Sequence, residues 1–217
     1  MVIAFVIRGV QTMVKMLRED YYFEEAGEQN TDDVIEAVRK RLSIMGIKHV
    51  VVASTRGKTA VKFAEALGNQ VGLISVSEPQ YIREWGSEWP IMDPANKKML
   101  EELGVTVLDK APYVFHSSVL EDSKWSQATP ETLMREVFYT MGQGFKVAVE
   151  VVLTAVACGV LEPYQDVIGV GGTSRGADTA LVLRATYPAT VLSKDPSKRL
   201  EIREIIAMPR NKTKKQG

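Results

Sequence analysis

His49-Val-Val-Val-Ala-Ser-Thr-Arg-Gly-Lys-Thr59 is the stretch that decides the fold class of this chain. Its first half is a β-branched run, apolar on both faces, as expected at the centre of a parallel sheet. Its second half is a polar loop, and helical patterning starts at once at Thr59 and runs to Leu67, ahead of Gly68. A strand that passes through a short loop into a helix opens a βαβ unit. Backbone N–H groups at such a helix start carry partial positive charge and face the loop. Ser54, Thr55 and Thr59 add hydroxyls, Gly57 adds freedom of turn, and Arg56 or Lys58 adds charge. The loop suits a phosphate dianion, and it also suits a capped helix start with no ligand. The triphosphatase pattern G-x-x-x-x-G-K-[ST] is not met, because Gly57-Lys58-Thr59 would require a glycine where Val52 stands.

Working outward, the same alternation continues in both directions. Tyr21 to Phe23 reads as a short strand, and Asn30-Thr31 supplies N-caps for a helix with Asp32 and Asp33 in its first turn. Val34, Ile35, Val38 and Leu42 form the apolar stripe of that helix, which Gly46 closes. Val71 to Val76 is the next strand. Residues 77–95, with Pro79, Trp85, Trp89, Pro90 and Pro94, read as a long loop that serves as a lid, a binding loop or an interface. A helix over Ala95 to Leu103, a strand over Val105 to Leu108 and a helix from Thr129-Pro130 to about Met141 follow. Phe145 to Cys158 is apolar nearly all round, and its length favours a buried helix over a strand pair. Asp166 to Gly171 is a strand, and Asp178 to Ala185 with Glu201 to Met208 form a closing antiparallel β-hairpin. The whole is α/β with a mainly parallel central sheet.

A second polar loop follows the strand at Asp166. Gly169-Val-Gly-Gly-Thr-Ser174 carries two of the three glycines of a dinucleotide fingerprint, with Ser174 in the place of the third. Gly171, Gly172, Thr173, Ser174, Arg175, Asp178 and Thr179 crowd polar groups and bare backbone at one strand end. Ligands of open α/β sheets sit at such ends, so this loop and 54–59 are expected to share a crevice. The plainer alternative is a tight glycine turn with Arg175 and Asp178 as an ion pair. His116 lies in a loop and is a candidate ligand contact. Glu150, alone in an apolar segment, is expected to pair with an arginine or to face the site. Trp85, Trp89, Tyr21 and Tyr22 are candidates to stack on a flat ring, or are core.

Composition bounds the rest. The chain has 217 residues with 27 basic and 27 acidic side chains, so bulk charge argues for neither nucleic acid nor membrane as a partner. One cysteine and two histidines exclude a disulfide framework and disfavour a metal site. No apolar run reaches the ~20 residues of a membrane helix. Met1 to Val10 lacks the features of a signal peptide, and a cytoplasmic protein is expected. Residues 1–20 read as an appended helix, or as an N-terminal extension that packs on a partner, residues 21–211 as one domain, and residues 212–217 as a flexible basic tail.

Val50-Val-Val-Ala-Ser-Thr-Arg-Gly-Lys-Thr-Ala-Val61 resembles the strand, phosphate loop and helix of the pyruvate kinase C-terminal α/β domain. The resemblance is closer to the stand-alone archaeal and bacterial proteins that have this domain without the catalytic barrel. Asn30-Thr31, Gly142 to Glu150, Gly171 to Ala180 and Glu204 to Arg210 are similar to that group as well, Ser-Arg-Gly-Ala-Asp-Thr-Ala being the most specific string. The resemblance implies a three-layer sandwich, a homo-oligomer, and phosphate binding by Ser54, Thr55, Gly57 and Thr59. It further implies flavin mononucleotide as the ligand and a possible flavin-dependent oxidoreductase. It does not identify contacts to the flavin ring, and residues 1–20 and the Tyr187 to Arg199 insert depart from the group. The alternative is a regulatory sensor of a sugar phosphate or nucleotide. Pyruvate kinase activity is not expected, since its ligands belong to a barrel of roughly 250 residues.

Overall fold

The computed structural model describes residues 15–112, 114–116, 124 and 128–212. Among these residues seven strands form one sheet: β1 (Tyr21–Phe23), β2 (His49–Ala53), β3 (Gly72–Val76), β4 (Thr106–Leu108), β5 (Asp166–Gly171), β6 (Thr179–Arg184) and β7 (Glu201–Pro209). Their order is β1-β7-β6-β5-β2-β3-β4. Only β6 runs against its neighbours; every other pairing is parallel. The last two strands are antiparallel as expected, and β5 and β6 are too, so β6 is the reversed strand of a mixed sheet.

Among the described residues five helices cover the two faces: α1 (Thr31–Met45), α2 (Lys58–Leu67), α3 (Pro94–Glu102), α4 (Pro130–Thr140) and α5 (Gln143–Ala157). On one side Val34, Val38, Phe63, Leu67 and Leu100 pack on Val50, Val52 and Ile168. On the other, Phe145, Val149, Val152 and Val156 of α5, with Met134 and Phe138 of α4, pack on Val51, Ile74 and Val167. Alternate residues of β2 thus feed opposite cores, which is why its run is apolar on both faces. The result is three layers. The apolar segment near Phe145 is the buried helix α5, and glycines let it sit close: a Cβ on Gly169 or Gly171 of β5 would strike the carbonyl oxygens of Ala148 or Gly144.

Some expectations need correction. Asn30 precedes α1 but does not cap it through its side chain. A 3-10 turn over Glu28–Asn30 leads directly into the helix, so Asn30 already has helical angles and its Nδ2 donates to Glu25 O at 2.8 Å. The glycine run at 169–172 opens no nucleotide-binding helix, because a strand follows it. Within 77–95, residues Gln80–Trp85 form 3-10 turns. The helix expected over residues 1–20 falls largely on residues 1–14, outside those described, and residues 15–20 have no regular structure. Of the basic tail only Lys212 is described.

Candidate functional site

From β2 the chain moves outward through α2, β3, α3 and β4; after α5 it returns to place β5 on the other side of β2. The sheet therefore changes winding direction between β2 and β5. Loops leaving the carboxyl ends of two such strands diverge to opposite faces and leave a crevice. A cleft of about 730 Å³ occupies this place, within the range of small-molecule sites.

The β2–α2 loop forms one wall. Ser54 is buried, and its Oγ accepts the N–H of Ala60 at 3.1 Å. That leaves the N–H groups of Lys58 and Thr59 without intrahelical acceptors where α2 meets the cleft. Gly57 stands at φ 92°, with Asn96 Cβ 2.7 Å and Met92 Sδ 2.9 Å from where a Cβ would lie. Only glycine fits this turn. Thr55 Oγ1 donates to Glu78 Oε1 at 3.0 Å, and Ser77 Oγ donates to Thr55 O at 2.6 Å, fastening the loop to the end of β3.

The β5–β6 loop and the start of α1 form the other wall. Gly172, Ser174, Arg175 and Gly176 line the cleft, as do Glu28 and Thr31. Thr31 Oγ1 accepts the N–H of Ala177 at 3.0 Å and donates to Glu28 O at 2.7 Å. Ser174 holds φ 73°, a left-handed conformation that non-glycine residues adopt at a cost and that concentrates at ligand sites. Gln143 and Val147, at the start of α5, complete the lining. Three helix starts, those of α1, α2 and α5, thus meet one cleft with Arg56, Lys58, Lys62 and Arg175 around it. Lys62 pairs with Asp32; Arg56, Lys58 and Arg175 have no acidic partner among the described residues. Helix starts and guanidinium or ammonium groups together favour an anion.

Several expected site residues lie elsewhere. Asp178 is fully buried and does not pair with Arg175; it accepts the N–H groups of Gly27 and Thr173, each at 3.0 Å, and the Thr179 hydroxyl at 2.8 Å. Asp178, Thr179 and the backbone of Thr173 and Gly171 therefore hold the loop from behind. Glu150 pairs with a lysine of its own helix, not an arginine: Lys146 Nζ is 2.8 Å from Oε2, and both are buried. Phe115 N donates to Oε1 at 2.9 Å and His116 Nδ1 lies 3.5 Å away. Burial pushes Glu150 upward, but His116, Lys146 and the Phe115 N–H outweigh it and hold the carboxyl at about 2. His116 meets Trp85 edge-on and is not part of the lining. No aromatic side chain lines the cleft among the described residues, so Trp85, Trp89, Tyr21 and Tyr22 do not serve as its stacking surface.

Sequence reading missed Glu28, Thr31, Ala53, Lys62, Glu78, Gln143 and Val147 as lining residues. Lys62 was discoverable, being one turn beyond Lys58 on the same helical face. Glu78 follows a strand end, which is where ligands lie, but the irregular run of 77–95 hid it. Burial pushes the Glu78 carboxyl up, opposed by the Thr55 hydroxyl and the charge of Lys146. Among the described residues no group of three His, Cys, Asp or Glu side chains could hold a metal ion. No helix among them is long and apolar enough to cross a membrane. No family model matches the chain.

Proposed function

We propose that this protein binds a phosphorylated small molecule in the cleft between the β2–α2 and β5–β6 loops, with flavin mononucleotide the first ligand to test. The observation that carries this reading is the meeting of three helix starts and four cationic side chains at the switch point of the sheet. The phosphate rests on the N–H groups of Lys58 and Thr59, with Arg56, Lys62 and Arg175 supplying charge. The likeness of residues 50–61 to the pyruvate kinase phosphate loop supports the same site, a pyruvate kinase C-terminal-domain-like fold and a homo-oligomer. A bound flavin supplies electron transfer, and the protein supplies binding, orientation and electrostatics. Near-ultraviolet and visible absorbance of freshly purified, undialysed protein tests the ligand, followed by mass spectrometry of what heat releases. A flavin spectrum with released flavin mononucleotide is the expected outcome, and a colourless protein overturns the flavin assignment.

One observation favours a second reading. A lining without aromatic side chains offers little to an isoalloxazine ring and more to a hydroxylated one. The cleft then belongs to a sensor of a sugar phosphate or nucleotide that reports through subunit assembly. Ligand-dependent association without turnover, followed by light scattering during titration, distinguishes this reading from a flavoenzyme.

A further inference from the structure

We propose that Glu78 is a second pole of the cleft, accepting hydrogen bonds from vicinal hydroxyls of the ligand, so that the site selects phosphate esters of polyols over simple alkyl phosphates. This rests on the phosphate reading above and names the class of molecule attached to the phosphate.

The placement follows from the sheet. β2 and β3 pair in parallel with Ala53 opposite Val76, so the phosphate loop and Glu78 leave adjacent strands on the same edge. Adjacent strands lie about 4.8 Å apart, so Glu78 leaves the sheet beside the phosphate loop, and both line the cleft. Glu78 comes roughly 20 residues after the glycine of the phosphate loop, across one helix and one strand. Dinucleotide-binding βαβ units set their phosphate on the helix and an acid from the next strand end on ribose hydroxyls in this same relation.

The chemistry agrees. An ionised carboxylate only accepts hydrogen bonds. Among Arg56, Lys58, Lys62 and Arg175 it weakens the hold on an anion unless the ligand also brings donors to it. Its position is fixed from the phosphate side, because Thr55, which donates to Glu78 Oε1, belongs to the phosphate loop. Trp89 Nε1 donates to the Glu78 backbone oxygen at 3.3 Å and fixes the main chain. Burial pushes the Glu78 carboxyl up, and the Thr55 hydroxyl and Lys146, buried nearby on α5, oppose that rise. Phosphate pole and hydroxyl pole are thus one rigid unit.

The test is calorimetric titration of the full chain with ribitol 5-phosphate and, separately, butyl phosphate. Wild-type protein is expected to prefer the polyol ester by about tenfold or more, the scale of one hydrogen bond to a charged group. Glu78→Gln is expected to abolish that preference while binding butyl phosphate as well as wild type or better. Glu78→Asp, which keeps the charge but withdraws the oxygens, is expected to lose the preference too, with its melting temperature reporting on folding. Wild type that binds both esters equally, or a Glu78→Gln protein that keeps the preference, overturns this inference and leaves the phosphate site standing. Wild type that binds neither ester overturns the phosphate reading, and this one with it.

Discussion

Ser54 and Asp178 show how much a single polar side chain does around this cleft. Ser54 Oγ closes the third N–H of α2, so Ser54→Ala is expected to cost about 1 kcal/mol of stability, read from denaturant unfolding. Combined with Thr59→Val, it is expected to weaken a phosphate ligand by roughly 1–3 kcal/mol in calorimetry; unchanged affinity would remove the loop from the site. Asp178 accepts two backbone N–H groups and a hydroxyl with no exposure to solvent. Asp178→Ala is expected to destabilise by about 2 kcal/mol or more, and to loosen Gly27 and Thr173 together in hydrogen exchange. The hydroxyls and cations of residues 54–59 were legible because strand, loop and helix are contiguous. The role of Asp178 was not. Its partner Gly27 lies 151 residues away, and no local pattern marks a contact of that range. Glu150 was legible only as a problem, a lone charge in an apolar helix; that Lys146 solves it follows from one-turn spacing, which the apolar run obscured.

At the scale of elements, α5 lies against β5 as closely as backbone permits. Gly171→Ala would drive a methyl into the Gly144 carbonyl, and Gly169→Ala into that of Ala148. Each is expected to destabilise by the upper part of ~1–3 kcal/mol, seen as a lowered melting temperature. The spacing of these glycines looked like part of a nucleotide fingerprint in sequence, because glycine for close packing and glycine for ligand approach are the same letter. Only the strand that follows, in place of a helix, separates the two. The same helix carries the buried Lys146–Glu150 pair. Lys146→Met leaves a charge buried without its partner and is expected to cost about 3–5 kcal/mol in urea unfolding. Joining it to Glu150→Gln is expected to recover part of that loss, which independent sites would not do.

For the whole molecule, Glu150 sets an acid limit. Its folded value of about 2 lies below the ordinary 4.5, so its contribution to stability is complete above the latter. That contribution drains away as pH falls toward the former. Chemical unfolding followed downward from neutral pH is expected to show the decline, and Glu150→Gln to flatten it. The sheet has a different whole-chain consequence. β1, near the start of the described chain, finds its only partner among the described residues in β7 near their end, where Arg210 N donates to Phe23 O at 2.7 Å. On the ribosome, at about 5–20 residues per second, β1 therefore waits roughly 10–40 s for β7 to be made. The segment that follows β1 leads through Gly27 to the α1 wall of the cleft. A nascent chain can thus form its central strands early, yet the α1 wall of the cleft is completed only once β7 has been made.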